Sequence, residues 1–149
     1  GWVRYIEDKL SGHENLYIAV DPSPVKSSGL AKVIRGKSNE PRVSQEIEKI
    51  LGSKKLDLVL SDMAPNITGV RVVDDSASRE LAEEALNTAF RYLAPGGRMV
   101  AKLFQGPEAK SFMVEAKECF LKTVLFKPAA SRSESREIFV VADGFKAGR

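Results

Sequence analysis

Short apolar runs along this chain alternate with segments in which apolar residues recur every three or four positions. The runs predict strands, and the three-to-four spacing predicts helices. Strands are predicted over residues 16–20, 31–35, 56–60, 99–104, 124–126 and 138–142. Helices are predicted over residues 2–11, 44–51, 78–93 and 108–119. Strands that alternate with helices predict an α/β fold, with a mainly parallel sheet covered on both faces.

The apolar run at residues 56–60 is the most informative one, because it stops abruptly at Ser61-Asp62-Met63-Ala64-Pro65-Asn66. Such a run suits a strand that is buried on both faces. In open α/β sheets, ligands bind just outside the carboxyl ends of the strands. We therefore predict that Asp62 takes part in chemistry. The alternative interpretation is an ordinary turn formed by a polar residue before proline.

Composition narrows the class of protein. The 149 residues, 43% of them hydrophobic and 29% charged, predict one globular domain over residues 1–149. No apolar run approaches the roughly 18 residues that would span a bilayer. The only cysteine, Cys119, excludes an internal disulfide framework and is typical of a reducing cytoplasm. We expect Cys119 to occupy a buried helix position in a cytoplasmic monomer.

Metal dependence is not expected, because one histidine and one cysteine cannot form an ordinary zinc site. The net charge is only +3, but the basic residues are unevenly distributed. Arg132 and Arg136 lie in a serine-rich segment, and a second group lies between residues 26 and 42. Such patches favour contact with RNA phosphates, although a normally solvated surface is the alternative interpretation.

The start of the chain is unusual for a nucleotide-binding α/β fold. Gly1-Trp2 leads directly into the first predicted helix, without the strand and glycine-rich turn that normally open such a fold. We expect that residues upstream were lost, and that a first strand is therefore missing from the sheet.

Four segments together resemble the FtsJ-like family of methyltransferases, which act on ribose 2′-hydroxyls of ribosomal RNA. They are Gly1-Trp2, residues 61–66 with Gly69, residues 100–106 and residues 131–137. Their order and spacing carry the resemblance over nearly the whole chain. It implies a Rossmann-like fold that uses S-adenosylmethionine, with a mostly parallel sheet and an antiparallel last strand.

The resemblance also implies roles for individual residues. Lys102 matches the catalytic lysine of the family, Asp62 its catalytic acid beside the methyl donor, and Glu137 a glutamate that helps to hold the lysine. Gly1, Trp2, Asp21 and Asp62 correspond to cofactor contacts. Asp21 would receive the ribose hydroxyls of the cofactor, since a carboxylate can accept from two neighbouring hydroxyls.

The chain departs from the family pattern in two places. A further catalytic lysine, which precedes the glycine-rich motif in the family, has no counterpart here. Where the family tends to place Gly-Asp near the adenine, this chain has Gly36-Lys37.

Several alternatives stay open. Transfer RNA is the second candidate substrate, and a non-catalytic RNA-binding relic of the fold is the second candidate class. A dinucleotide-dependent oxidoreductase is disfavoured, because no G-x-G-x-x-G follows a strand. Whether Lys102 removes the hydroxyl proton or orients the hydroxyl is also left open.

Overall fold

Ten helices and strands make up the part of the chain that the computed structural model describes, residues 1–147. The helices are α1 (Trp2–Leu10), α2 (Pro41–Leu51), α3 (Arg71–Tyr92) and α4 (Pro107–Cys119). The strands are β1 (Ile18–Asp21), β2 (Lys32–Arg35), β3 (Leu56–Ser61), β4 (Leu93–Phe104), β5 (Phe120–Phe126) and β6 (Glu137–Phe145). Within residues 1–147, no helix is long and apolar enough to cross a membrane.

The chain divides into two compact units, Gly1–Lys54 and Lys55–Arg149. In the first unit, β1 and β2 form a parallel pair. In the second unit, the strand order is β3-β4-β6-β5. Strands β3 and β4 are parallel, whereas β6 runs antiparallel to both of its neighbours. The predicted α/β class and the antiparallel last strand are therefore confirmed, while the prediction of one domain over residues 1–149 stays a prediction.

The core of the second unit lies between its sheet and the helices α3 and α4. Alternate residues of β4, among them Met99, Ala101 and Leu103, are buried on the helix-facing side. Phe112 of α4 is fully buried and belongs to the same cluster. Cys119 is a buried residue at the end of α4, as the sequence predicted.

Four elements begin three or more residues earlier than the sequence pattern predicted. Helix α3 starts at residue 71 rather than 78, and α2 at residue 41 rather than 44. Strand β4 starts at residue 93 rather than 99, because its first residue pairs with β3 before an irregularity in register. Strand β5 starts at Phe120 rather than Val124, since Phe120 pairs with Phe145 and is buried.

A buried carboxylate organises the first unit. Glu7 of α1 accepts hydrogen bonds from Ser27 Oγ, from the Ser28 backbone N–H and from the Ala31 backbone N–H at 3.0 Å. The loop that leads into β2 is thereby attached to α1. The bond from Ser27 is the main cause that lowers the pKa of Glu7 from 4.5 to about 2, followed by the bond from the Ser28 N–H.

This lowered pKa predicts acid sensitivity. The carboxylate of Glu7 binds a proton more readily in the unfolded chain, so its stabilising effect is complete above about pH 4.5 and is lost as the pH falls toward 2. We expect the melting temperature to fall over this interval, and to fall less steeply in Glu7→Gln. Glu14→Gln is the matched control, because Glu14 is exposed. Identical pH profiles for Glu7→Gln and the wild type would contradict the assignment.

Candidate active site

Sheet pairing brings two polar side chains together at one edge of the second unit. Ser61 is in register with Ala101 in the parallel pair β3–β4, so Asp62 and Lys102 follow at adjacent positions. The Nζ atom of Lys102 lies 3.2 Å from Oδ1 of Asp62. Lys102, which lies 40 positions after Asp62 in the sequence, is thus its ion-pair partner.

The antiparallel strand β6 adds a second carboxylate to the same amine. Glu137 is in register with Phe104, two residues beyond Lys102 on β4. Its Oε1 atom lies 3.5 Å from the Nζ atom of Lys102. The side chain of Lys102 is only 11% exposed, whereas those of Asp62 and Glu137 are 44% and 46% exposed. The lysine therefore extends from the sheet between two carboxylates that solvent or a ligand can reach.

The loop that follows Asp62 is attached to the start of α3. The buried side chain of Asp74 accepts hydrogen bonds from the backbone N–H and the hydroxyl of Thr68 and from the backbone N–H of Gly69. The bond from the Thr68 backbone is the largest of several effects that lower the pKa of Asp74. Gly69 has a φ of 85°, a conformation that glycine adopts without steric cost. Asp74 therefore holds the loop that carries the catalytic candidate Asp62.

A second buried acid of α3 holds the segment next to Glu137. Asp75 forms an ion pair with Nη2 of Arg136, and the same nitrogen donates to the carbonyl of Gln105 at 3.2 Å. The Gln105 backbone N–H in turn donates to the Arg136 carbonyl at 2.7 Å. Arg132, by contrast, is exposed. The two arginines predicted to bind RNA therefore have different surroundings, because the guanidinium of Arg136 already contacts Asp75 and Gln105.

The first unit carries the other predicted cofactor residues. Asp21 is the last residue of β1, and its Oδ1 accepts from the Ser23 N–H at 2.7 Å. Its backbone carbonyl accepts from Gly36 N–H, so the ends of β1 and β2 meet. A Cβ atom at Gly36 would lie 2.6 Å from Val43, so this turn requires glycine.

Gly1 and Trp2 stand at the start of α1, where the Gly1 carbonyl accepts from Tyr5 N–H. Lys37 replaces the acid that the family tends to place here. Its backbone N–H donates to the side-chain carboxylate of Glu40 at 3.0 Å, and its carbonyl accepts from the Glu40 N–H at 3.1 Å.

Sequence reasoning missed the buried polar residues at the start of α3. Asp74 and Asp75 hold the two loops beside the site, and Ser78 accepts from the Phe104 backbone N–H at 2.9 Å. One sequence signal was available, because acidic residues are favoured in the first turn of a helix. The neighbouring pair Val72-Val73 favoured the opposite interpretation, because β-branched residues disfavour helices.

Comparison with known proteins agrees with this architecture. The sequence model of the FtsJ-like methyltransferase family matches residues 1–145. This chain belongs to that family. The ribosomal RNA large subunit methyltransferase E of Coxiella burnetii (strain CbuK_Q154) is 40% identical over 149 residues, which cover 97% of this chain and 70% of that relative.

Solved structures support the family fold. A ribosomal RNA methyltransferase from Plasmodium falciparum superposes with a TM-score of 0.88 at 25% identity, over 99% of this chain and 81% of that one. A Streptococcus mutans methyltransferase in complex with SAH superposes with a TM-score of 0.50 at 14% identity, over 87% of this chain and 72% of that one. The Rossmann-like methyltransferase fold predicted from the sequence is thus confirmed.

Proposed function

We propose that this protein transfers the methyl group of S-adenosylmethionine to a ribose 2′-hydroxyl of large-subunit ribosomal RNA. The observation that carries the proposal is the position of Lys102 between Asp62 and Glu137 at a strand end of a methyltransferase fold. The names of the relatives favour ribosomal RNA over transfer RNA as the substrate. Cytoplasmic localisation and a monomeric state are parts of the same proposal.

Each unit carries residues whose chemistry suits S-adenosylmethionine. Asp21 ends β1 with one carboxylate oxygen engaged by Ser23 N–H, so the other oxygen is available to ribose hydroxyls. The turn at Gly36-Lys37 lies beside Asp21, because the Gly36 N–H donates to the Asp21 carbonyl, and we assign this turn to the adenine. Gly1 and Trp2 are assigned to the methionine end, and Asp62 to the region of the methyl group. The bound cofactor supplies an electrophilic methyl group on a sulfonium.

Lys102 would position the ribose hydroxyl. A lysine ammonium has three donors in all, and Asp62 and Glu137 lie where they can accept two of them. The third donor is then free to hydrogen-bond the ribose oxygen and to direct its lone pair at the methyl group. Positioning of this kind accounts for a large share of catalysis when two reactants must meet in line. Asp62, which is half exposed, is placed to contact both reactants.

Methylation of ribosomal RNA provides the direct test of this function. The protein is incubated with S-adenosylmethionine and with ribosomal RNA or large ribosomal subunits that lack the modification. The RNA is then digested to nucleosides, which are analysed by mass spectrometry. We expect one 2′-O-methylated nucleoside per RNA molecule. Methylation on a base, or on transfer RNA alone, would contradict the proposal. Binding of RNA without any methyl transfer would support the non-catalytic relic instead.

Arg132 is the better of the two predicted RNA contacts to test. Arg132→Glu should weaken RNA binding across sequences and reduce the salt slope of binding by about 0.7 or more, because a phosphate contact is lost. Cofactor affinity should not change. Lys117→Glu is the control, since Lys117 is also exposed in the second unit. An unaltered salt slope in Arg132→Glu would show that this arginine does not contact RNA.

Arg136→Glu is unsuitable for that experiment. It would place a carboxylate beside the buried Asp75, so it should lower the melting temperature whether or not Arg136 contacts RNA.

A further inference from the structure

A cavity of about 510 Å³ lies beside the candidate active site in the second unit. Gln105 and Arg136 form part of its wall. Gln105 follows Lys102 by three residues, and Arg136 directly precedes Glu137. Lys102, Asp62 and Glu137 do not line the cavity, so it is a neighbouring site and not the place of methyl transfer.

Most of the polar wall of the cavity is positively charged. Arg71, Lys110 and Arg136 line it. Arg71 is 71% exposed and lies 3.9 Å from Asp75, which is already paired with Arg136. Lys110 is exposed and forms no ion pair within residues 1–147. A polyanion that reaches this cavity would therefore find two cations available at its rim.

Within the described part of the chain, no carboxylate lines the cavity, and three acidic groups near it each lie in an ion pair with a basic residue. Asp75 contacts Arg136, and Glu137 contacts Lys102. Glu108, in the first turn of α4, lies 3.7 Å from Arg79. The charged side chains of the cavity wall itself are therefore all basic. The Nε atom of Arg136 is buried and has no hydrogen-bond acceptor among the described residues.

The remaining wall is apolar. Ala109 and Ile138 are buried, whereas Leu125 of β5 is 46% exposed and lines the cavity. Pockets of roughly 300–1,000 Å³ with an apolar wall and a few polar groups are typical of small-ligand sites. A flat aromatic ring can lie against the apolar wall while an attached anion contacts the rim. This combination matches one unstacked nucleotide of single-stranded RNA.

We propose that this cavity binds one nucleotide of the RNA strand, next to the nucleotide that is methylated. The base lies against Leu125 and Ile138, and the phosphate contacts Arg71 and Lys110. The assignment rests on the proposed RNA methyltransferase function and extends it, because it names a second point at which the enzyme holds the strand. Two points of attachment would orient the target ribose better than the catalytic residues alone.

The phosphate contact is tested with Arg71→Gln/Lys110→Gln. Its matched control is Lys117→Gln/Lys122→Gln, which removes the same charge from exposed positions of the same unit. The probe is a single-stranded fragment of large-subunit ribosomal RNA that contains the methylated position. Relative to the control, we expect the test variant to raise the Kd by about tenfold and to reduce the salt slope by about 1.4, the value for two phosphates.

The base contact is tested with fragments that carry one abasic nucleotide at successive positions beside the target. In the wild type, one position should weaken binding by about 5- to 100-fold, the scale of a single base contact. Leu125→Ser should lose much of this sensitivity at that position only. A polyglutamate peptide of equal charge should not displace the fragment. If the peptide displaces the fragment as well as RNA does, the cavity binds anions in general and the assignment is overturned.

The two proposals can fail separately. If the wild type methylates RNA, but the test and control variants bind RNA alike and no abasic position stands out, the nucleotide site is overturned and the methyltransferase function stands. If the wild type transfers no methyl group to any RNA, the proposed function fails, and the nucleotide site that rests on it fails with it.

Discussion

Replacing Lys102 with alanine is expected to lower the single-turnover rate of RNA methylation by about 10²–10⁴-fold, the usual effect of removing a positioned acid–base group. Cofactor affinity should barely change, since the proposed contact of Lys102 is to the ribose hydroxyl. The fold should be retained, because Asp62 and Glu137 are half exposed and can be solvated without the lysine. Lys117→Ala is the matched control at an exposed lysine.

Lys102→Arg separates the two possible roles of the lysine. Arginine keeps the positive charge and the donors but does not deprotonate in proteins. If Lys102 orients the hydroxyl, as we propose, arginine should recover part of the activity lost in Lys102→Ala. If Lys102 removes the proton, arginine should be as poor as alanine. Single-turnover methylation by Lys102→Ala at the wild-type rate, with saturating cofactor and RNA, would exclude both roles.

The second large effect is expected for Asp62→Asn, which preserves the size of the side chain but removes its charge. Asp62 is assigned contacts with both the cofactor and the ribose, so its loss should lower cofactor affinity and the methylation rate together. Affinity for S-adenosylmethionine should fall by roughly 10- to 100-fold, the scale of a hydrogen bond to a charged group. The single-turnover rate at saturating cofactor should fall by about 10²-fold or more.

Glu137→Gln is the matched comparison for Asp62→Asn. The two carboxylates have nearly equal exposure, and each lies within 3.5 Å of the same amine. Glu137 is assigned a contact with Lys102 only. Glu137→Gln should therefore lower the methylation rate less than Asp62→Asn does, and it should leave cofactor affinity unchanged. Isothermal titration with S-adenosylmethionine in the absence of RNA measures the affinities. Equal loss of affinity in both variants would show that Asp62 has no separate contact with the cofactor.

The predicted acid sensitivity of the first unit can be tested separately from the methylation reaction. Glu7 lies buried under the loop that leads to β2, and its pKa is lowered to about 2. Loss of this carboxylate should therefore lower stability above about pH 4.5 and change it little near pH 2. A methylation rate of Glu7→Gln equal to that of the wild type, measured at neutral pH, would agree with a purely structural role.

Much of the architecture follows from local patterns in the sequence. The apolar run before Asp62 predicted the position of β3, and the run at residues 99–104 predicted most of β4. These predictions held because strand and helix periodicities are set by nearest neighbours along the chain. The prediction that β3 is buried on both faces was wrong, because Leu58 is 45% exposed. The motifs at residues 61–66 and 131–137 carried the family resemblance, which the family match over residues 1–145 confirms.

Tertiary structure decided the rest. The Lys102–Asp62 and Lys102–Glu137 contacts depend on the registers of β3–β4 and β4–β6, and sequence spacing does not specify a register. The first two turns of α3 form although Val72-Val73 disfavour helix, because the buried Asp74 binds the loop directly before the helix and Asp75 pairs with the distant Arg136. Arg136 looked like a free RNA contact in the sequence, but its guanidinium pairs with one of those acids. Local patterns cannot reveal such partners, because the energy of a buried charge depends on groups that only the folded chain brings within hydrogen-bonding distance.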